Sequence, residues 1–515
     1  MLAEKKMGTR LLTEKYAAEI HGTLHCYDRV VISGNLQPLC YAKGMTKYLY
    51  MQGIRIFDYT KQFAEPLRNL IRENAQAVAQ ENGLEIEFIT KKGDFRKEEQ
   101  IKKIIAARGD HPGLVHIFSA MEACQAYRPW HNKETHKTYV KATQGKCLHY
   151  YFYFIDPALG LCYLRVPTWS PFRLQFYFNG HNALAARLRK EGIAFEQVEN
   201  AFLSIADFAR ANELAATFEI EVLHQKLNDL AERYCPAVKQ LDFLYHWSIL
   251  QAEYATDIVF KSQTTLQAIY PHLLETLIQV VKPTDIATFL GRKLHGNYQD
   301  EMGNRFNKRW LGTRLKHQMG PVSIKLYDKF NIILRIETTV NQVPFFQQYR
   351  KIHHRDGTTS SQFAPMKKTI YSLPPLAETL QAVNQRYLKF LSDIETPEVG
   401  VDKLNHLSET QHDDNGRRYK GFNLLSEEDA SFFRLLISGD FLISGFSNKD
   451  LRLCLSNKNA GQITRLLRRL REHGLIKRVS RRYRYYLTEF GRQITLLALK
   501  LRELVIIPSL AFDLV

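Results

Sequence analysis

No stretch of this sequence approaches the ~20 consecutive apolar residues that a membrane-spanning helix needs,. The first twenty residues, Met1–Ile20, lack an apolar core, so no secretory leader is expected,. Cysteine is scarce. The seven residues Cys26, Cys40, Cys124, Cys147, Cys162, Cys235 and Cys454 are odd in number and contain no C-x-x-C pair. That spacing argues against a disulfide framework and a structural zinc site, and for reduced thiols in the cytosol. Phosphate-binding P-loops, G-x-G-x-x-G turns and G-x-S-x-G elbows are missing, which removes ATPase, dinucleotide and serine-hydrolase readings. No internal repeat or long low-complexity tract stands out. Acidic residues are also in deficit: 53 Asp plus Glu face 71 Lys plus Arg, a formal charge of +18. Such an excess attracts polyanions. The expected partner is nucleic acid, DNA or RNA, with no membrane partner, in a soluble cytoplasmic protein.

The length of 515 residues allows about three domains at ~100–200 residues each,. The pattern of elements predicts a mixed α+β, multidomain chain: an N-terminal α/β domain over 1–110, a central α/β and helical body over 111–395, a linker over 396–424 and a helical, hairpin-bearing domain over 425–515. Within the body, Arg29–Gly34, Gly113–Phe118, Leu148–Ile155, Leu161–Val166 and Phe172–Phe178 read as strands, rich in aromatic and β-branched residues,. Residues 202–280 read as mainly helical, with Trp247–Phe260 an aromatic-rich amphipathic stretch. Residues 355–365 read as a flexible loop.

Charge is most concentrated near the C-terminus. From Asn448 to Arg492 there are 13 Lys plus Arg and 3 Asp plus Glu, a net of +10 in 45 residues. Ile463, Leu466, Leu467 and Leu470 repeat at i, i+3, i+4 and i+7, which predicts an amphipathic helix ended by Gly474. Its other face then carries Gln462, Arg465, Arg468, Arg469 and Arg471. A hairpin follows, with Lys477, Arg478, Arg481, Arg482 and Arg484 at or near its tip. The run Arg465-Leu-Leu-Arg-Arg-Leu-Arg-Glu-His-Gly-Leu-Ile-Lys-Arg478, followed by Tyr485-Tyr-Leu-Thr-Glu-Phe-Gly491, resembles winged helix-turn-helix regulators of the MarR kind. The resemblance covers about 70 residues. It implies a recognition helix in the major groove and a wing along the phosphate backbone. A winged helix that docks protein instead is the alternative.

Three features of the body could carry chemistry. Arg314, Lys316, Lys325, Arg335 and Glu337 alternate along three short strands between Gly312 and Thr339. The Tyr327-Asp-Lys329 strand followed by Arg335-Ile-Glu337 resembles rolling-circle replication initiators of plasmids and filamentous phages. That resemblance implies a divalent metal at Glu337 and a nucleophilic tyrosine, although the His-apolar-His motif of many nicking enzymes is missing. The bland reading is an Arg335–Glu337 pair in a sheet whose Arg314, Lys316 and Lys325 bind phosphate. Second, Asp156, Glu199 and Asp257 (or Glu253) are spaced as carboxylates that could hold two divalent metals about 4 Å apart; Asp156-Pro is also an ordinary turn. Mg2+ or Mn2+ would be the cofactor of such a nuclease. Third, the aromatic residues 150–154 beside Arg173 could stack bases, or simply fill a core. The leading expectation is a nucleic-acid-binding protein. The alternatives are a metal-dependent nuclease, replication initiator or transposase with Glu337 and Asp156 catalytic, or a large transcriptional regulator.

Overall fold

The computed structural model describes residues 11–90, 95–294, 298–309, 312–354, 356–395, 398–438, 441, 445–456, 458–479, 484–507 and 510. The chain is mixed α+β and divides into two compact units, Met1–Glu395 and Thr396–Val515.

The spine of the first unit is one eleven-stranded sheet. Its strands, in chain order, are β1 (Ile20–Asn35), β2 (Ile86–Phe88), β3 (Gly113–Asn132), β4 (Lys137–Asp156), β5 (Gly160–Pro167) and β6 (Leu174–Phe178). After a separate small hairpin, β7 (Phe195–Val198) and β8 (Ala201–Ile205), come β9 (His246–Phe260), β10 (Met302–Arg309), β11 (Gly312–Met319), β12 (Val322–Lys329) and β13 (Ile333–Val340). The lateral order is β10-β11-β12-β13-β9-β1-β6-β5-β4-β3-β2. Every pairing is antiparallel except that of β2 with β3.

That order contains a repeat of connectivity that the sequence hides. β1 leads through helices to the meander β3-β4-β5-β6, whose last strand returns to pair with β1. β9 leads through helices to the meander β10-β11-β12-β13, whose last strand returns to pair with β9. β1 and β9 pair with each other from Ile20↔Phe260 to Asn35↔His246 and join the halves. Residues 1–110 therefore do not form a domain of their own, because β1 lies at the centre of the sheet.

Alternation along the strands sorts side chains between two layers. Val30 and Ile32 of β1, Phe152 and Phe154 of β4, and Leu334 and Ile336 of β13 enter the main core, with Leu67, Leu227, Leu273 and Leu380 from helices Glu65–Glu81, Ile220–Tyr234, Gln263–Val280 and Leu373–Glu395. The intervening residues face three smaller clusters, two of them larger than the third. Of those two, one sets Ile101 of helix Lys97–Arg108 on Phe118, Tyr151, Tyr153 and Tyr163. The other sets Leu184 and Leu188 of helix Gly180–Glu191 on Leu24 and Cys26. All five aromatic side chains of 150–154 are thereby buried, and none is offered to a base.

Trp247–Phe260 is the strand β9 and not a helix. It lies between β1 and β13 and is buried along most of its length. Its apolar pattern therefore lacks the period-2 signature of a half-exposed strand. The expected loop at 355–365 is largely a strand: β14 (Gln347–His353) and β15 (Thr359–Pro365) form a separate hairpin.

The second unit has its own core, with Phe422, Phe433, Phe446, Leu451, Ile463, Leu467, Leu470 and Leu475 at its centre. It includes most of the segment expected to be a linker, since helix Glu398–Ser408 places Leu407 in that core beside Phe422. The two-residue strands β16 (Gln411–His412) and β17 (Arg418–Tyr419) come next. Helices Glu427–Leu436, Asn448–Cys454 and Ala460–Glu472 precede the hairpin of β18 (Ile476–Val479) and β19 (Arg484–Leu487) and helix Glu489–Lys500. Ser426, Ser447, Asn459 and Thr488 each accept a backbone N–H at a helix start, so four of these helices carry side-chain caps,. Gly491 is required by proximity: a Cβ there would lie 2.0 Å from the carbonyl oxygen of Leu475.

Candidate nucleic-acid interface and buried charge network

Helix Ala460–Glu472 buries Ile463, Leu467 and Leu470, and this stripe fixes what the other side presents. Arg465 and Arg468 are exposed and have no hydrogen bond or ion pair among the described residues. Gln462 is partly committed, because its Oε1 accepts the Asn459 N–H at 2.7 Å and closes the capping box,. Arg471 is exposed and turns to Glu472, with Nη2 2.9 Å from Oε1. Arg469 is a correction to the expected basic face. Its guanidinium lies 3.7 Å from the centre of the Phe422 ring, donates to the carbonyls of Lys420 and Gly421 at 2.7 and 2.6 Å, and sits 3.5 Å from Asp429. It holds the chain before helix Glu427–Leu436 to helix Ala460–Glu472 and is not available to a phosphate.

The hairpin presents Lys477, Arg478 and Arg484, all exposed. Arg481 and Arg482, expected at its tip, lie outside the described residues. A third short segment joins it: Phe446 and Tyr485 exchange backbone hydrogen bonds of 2.9 and 2.8 Å. The basic helix and the basic hairpin are thus adjacent in sequence and share one core.

In the first unit the expected carboxylate set is not assembled. Asp156 is a turn residue: its Oδ1 accepts from the backbone of Ala158 and Leu159 at 2.8 and 3.0 Å, and Oδ2 from Lys226 at 2.5 Å. Glu199 sits at φ +55° in the β7–β8 turn, pairs with Lys102 at 2.7 Å, and is half exposed. Neither joins Asp257 or Glu337.

What the sheet does assemble is a buried charge network on β1, β9, β12 and β13. Arg335 is fully buried and clamps Asp257 through Nε and Nη2, each contact 2.6 Å. Its Nη1 lies 3.4 Å from Asp28, and Nη2 also donates to the carbonyl of Asn200 at 2.7 Å. Asp28 is the extra residue of a β-bulge between the pairs Tyr27↔Tyr254 and Arg29↔Glu253. A bulge of this kind re-aims a side chain, here into the network. His181, from helix Gly180–Glu191, meets Arg335 at Nε2 (3.2 Å), and its Nδ1 faces Asp28 at 3.2 Å. Asn200 donates to Asp28 at 2.5 Å and accepts from Lys329.

A second group continues along the same strands. Lys325 bridges Glu253, at 3.1 Å, and Glu337, while the Tyr327 hydroxyl donates to Glu337 at 2.5 Å. The expected Arg335–Glu337 pair is therefore absent: Arg335 pairs with Asp257 and Asp28, and Glu337 with Lys325. Lys325 is thereby withdrawn from phosphate binding. Lys316 stands opposite it on β11, half-buried, its ammonium pKa lowered by burial and then by Lys325, Arg305 and Arg314. Arg314 is half-buried two residues away.

The network tunes its own charges. Burial pushes the Asp257 carboxyl up, but Arg335 and His181 outweigh it and hold its pKa at about 2. The same contest ends with Asp28 below the usual carboxylate range. Burial and the neighbouring Arg335 lower the Lys329 ammonium to about 8. Among the described residues one carboxylate set is close enough to share a cation: Asp28, Glu253 and Glu337, with ligand atoms within 4.8 Å of one another. Oxygen donors of this kind suit Mg2+ or Mn2+, although Lys325, with its single charge, already bridges two of the three.

No protein-family model, curated protein or solved structure matches this chain.

Sequence reasoning picked out Glu337, Asp257, Glu253, Arg335 and Lys325 but missed Asp28 and Asn200. Asp28 sits in a strand whose bulge leaves no mark in the sequence. The adjacent charges Asp28 and Arg29 inside the otherwise apolar run from Cys26 to Ile32 were the available signal. Among the described residues no helix is long and apolar enough to cross a membrane.

Proposed function

We propose that this protein binds nucleic acid and that its C-terminal unit does so as a winged helix-turn-helix. One observation carries the reading: Arg465 and Arg468 stand exposed opposite the helix's own apolar stripe, with no ion pair among the described residues. The next element in the chain, a hairpin, exposes Lys477, Arg478 and Arg484. The order of helices and hairpin, and the Phe446–Tyr485 pairing, fit that fold class. Arginine suits the task through its forked geometry toward phosphate and guanine. The test is binding of a labelled duplex across a salt series. Replacing Arg465 and Arg468 by Gln should weaken binding and lower the salt slope by roughly two, at about 0.9 per lost phosphate contact. An unchanged slope with unchanged affinity overturns the reading.

A second reading, metal-dependent DNA processing, is favoured by the grouping of Asp28, Glu253 and Glu337 within 4.8 Å. A bound Mg2+ or Mn2+ would polarise a phosphodiester oxygen, with these three residues as its ligands. Incubation with single- and double-stranded DNA, with and without Mn2+, should then yield nicks that Glu337→Gln abolishes. A total lack of cleavage by the unsubstituted protein rejects it.

A further inference from the structure

The hairpin β14–β15 stands outside the main sheet and presents one face to solvent. Gln347, Tyr349, Lys351 and His353 of β14 alternate onto that face, opposite Pro365, Phe363, Ser361 and Thr359 of β15. All eight are exposed. Tyr349 and Phe363 are directly paired and meet edge to face, with centroids 5.5 Å apart. They remain 62 % and 69 % exposed. Two adjacent aromatic rings left that open contribute little to folding, so burial does not explain them.

Beside the rings lies a cavity of about 520 Å³. Phe363 and Gln347 form part of its wall, Arg292, Lys293 and Arg386 supply its charge, and none of its nine lining residues is acidic. The arginines are held from behind: Arg292 stacks on Phe345 at 4.1 Å, and Arg386 donates Nε to the carbonyl of Phe289 at 2.8 Å. Gly291 makes room for this arrangement, since a Cβ there would come within 3.1 Å of Arg386 Nη2. Counting from Val343 to Lys368, the segment carries five Lys plus Arg and one acid, Asp356.

The geometry points to a single-stranded nucleic-acid site on this hairpin, with bases stacked on Tyr349 and Phe363 and the adjoining phosphate held in the Arg292–Lys293–Arg386 cleft. A duplex hides its base faces, so exposed rings beside an acid-free cationic cleft select an unpaired strand. This inference deepens the nucleic-acid reading and rests on it, but it uses a different unit of the chain from Arg465 and Arg468.

The test uses the full-length protein, fluorescein-labelled oligothymidylate as the single-stranded probe, and a mixed-sequence duplex. Tyr349→Ala with Phe363→Ala should lower single-strand affinity about tenfold or more, at ~1–3 kcal/mol per stacked base. It should leave the salt slope and duplex affinity unchanged. Lys293→Gln with Lys351→Gln should instead lower the single-strand salt slope by about 1.4, at ~0.7 per contact. The thermal midpoint should hold in both variants, because the four side chains lie at the surface. Unchanged single-strand affinity in the Tyr349/Phe363 variant overturns the inference. So does an equal loss for duplex, and so does loss of self-association alone, which would make the rings an interface between copies. Duplex binding that still depends on Arg465 and Arg468 would leave the first reading standing in each of those cases. A protein that binds neither probe would fail both.

Discussion

Arg335 is where a single side chain carries the greatest consequence. Its charge is buried beyond the reach of water, and Asp257, Asp28 and the Asn200 carbonyl together replace the lost hydration. Removing one partner of such a network leaves the others charged and unpaired, which costs about 3–5 kcal/mol. Arg335→Ala should lower the urea midpoint of the first unit accordingly. Arg335→Lys should recover little, because a point charge does not reproduce the two-pronged clamp on Asp257. The same network sets an acid limb. The folded Asp257 carboxyl titrates at about 2, below its unfolded value of ~3.9, so its stabilising contribution is present above pH 4 and is lost as pH falls toward 2,. Asp257→Asn should flatten that limb in acid unfolding curves. Asp328 behaves oppositely: burial raises its carboxyl to about 6. Its native state favours the protonated form, so its contribution is fully present below pH 4 and fades as pH rises through 6. Asp328→Asn should therefore stabilise the protein above pH 6 and become neutral below pH 4. The gain should be on the order of 1 kcal/mol once solvent screening is allowed for. Thermal melts at pH 4 and pH 7.5 check the Asp328 limb, and melts stepped from pH 4 down to pH 2 check the Asp257 limb.

At the scale of elements, legibility in the sequence followed exposure. Helix Ala460–Glu472 could be read directly because one side is core and the other is water, and that contrast imprints a 3.6-residue period. β9 could not, because β1 and β13 flank it and both of its faces are largely covered. The segment 355–365, which holds β15, read as a loop for the reverse reason: so much of it is exposed and polar that nothing marks a buried side. Charge suffered a similar ambiguity. Arg469 follows Arg468 in sequence and looks equivalent, yet Phe422 and Asp429 claim it. Arg469→Ala should accordingly destabilise the second unit by about 1–3 kcal/mol through its lost hydrogen bonds to Lys420 and Gly421. It should leave the salt slope of duplex binding where it was. Running the same substitution through a melt and a salt titration separates it from Arg465 and Arg468, which should show the opposite pattern.

At the scale of the whole molecule, the repeated connectivity of the two sheet halves left no readable trace in the sequence. Topology constrains where strands go, not which apolar residue fills each position, so matching layouts can persist without matching letters. The division into two cores has a measurable counterpart. Scanning calorimetry should resolve two transitions, with Arg335→Ala lowering one and Arg469→Ala the other. A single transition shifted by both substitutions would contradict that division.

The seam between β1 and β9 carries a last implication for anyone cutting this chain. Asp28 comes from one half, while Asp257 and Arg335 come from the other, and the pairing runs the full sixteen residues of β1. A fragment ending near residue 245 would strip that strand of one of its two neighbours, leaving a long naked border of amide and carbonyl groups and an orphaned carboxylate,. Such a piece should clump rather than fold, and the two halves are best regarded as inseparable.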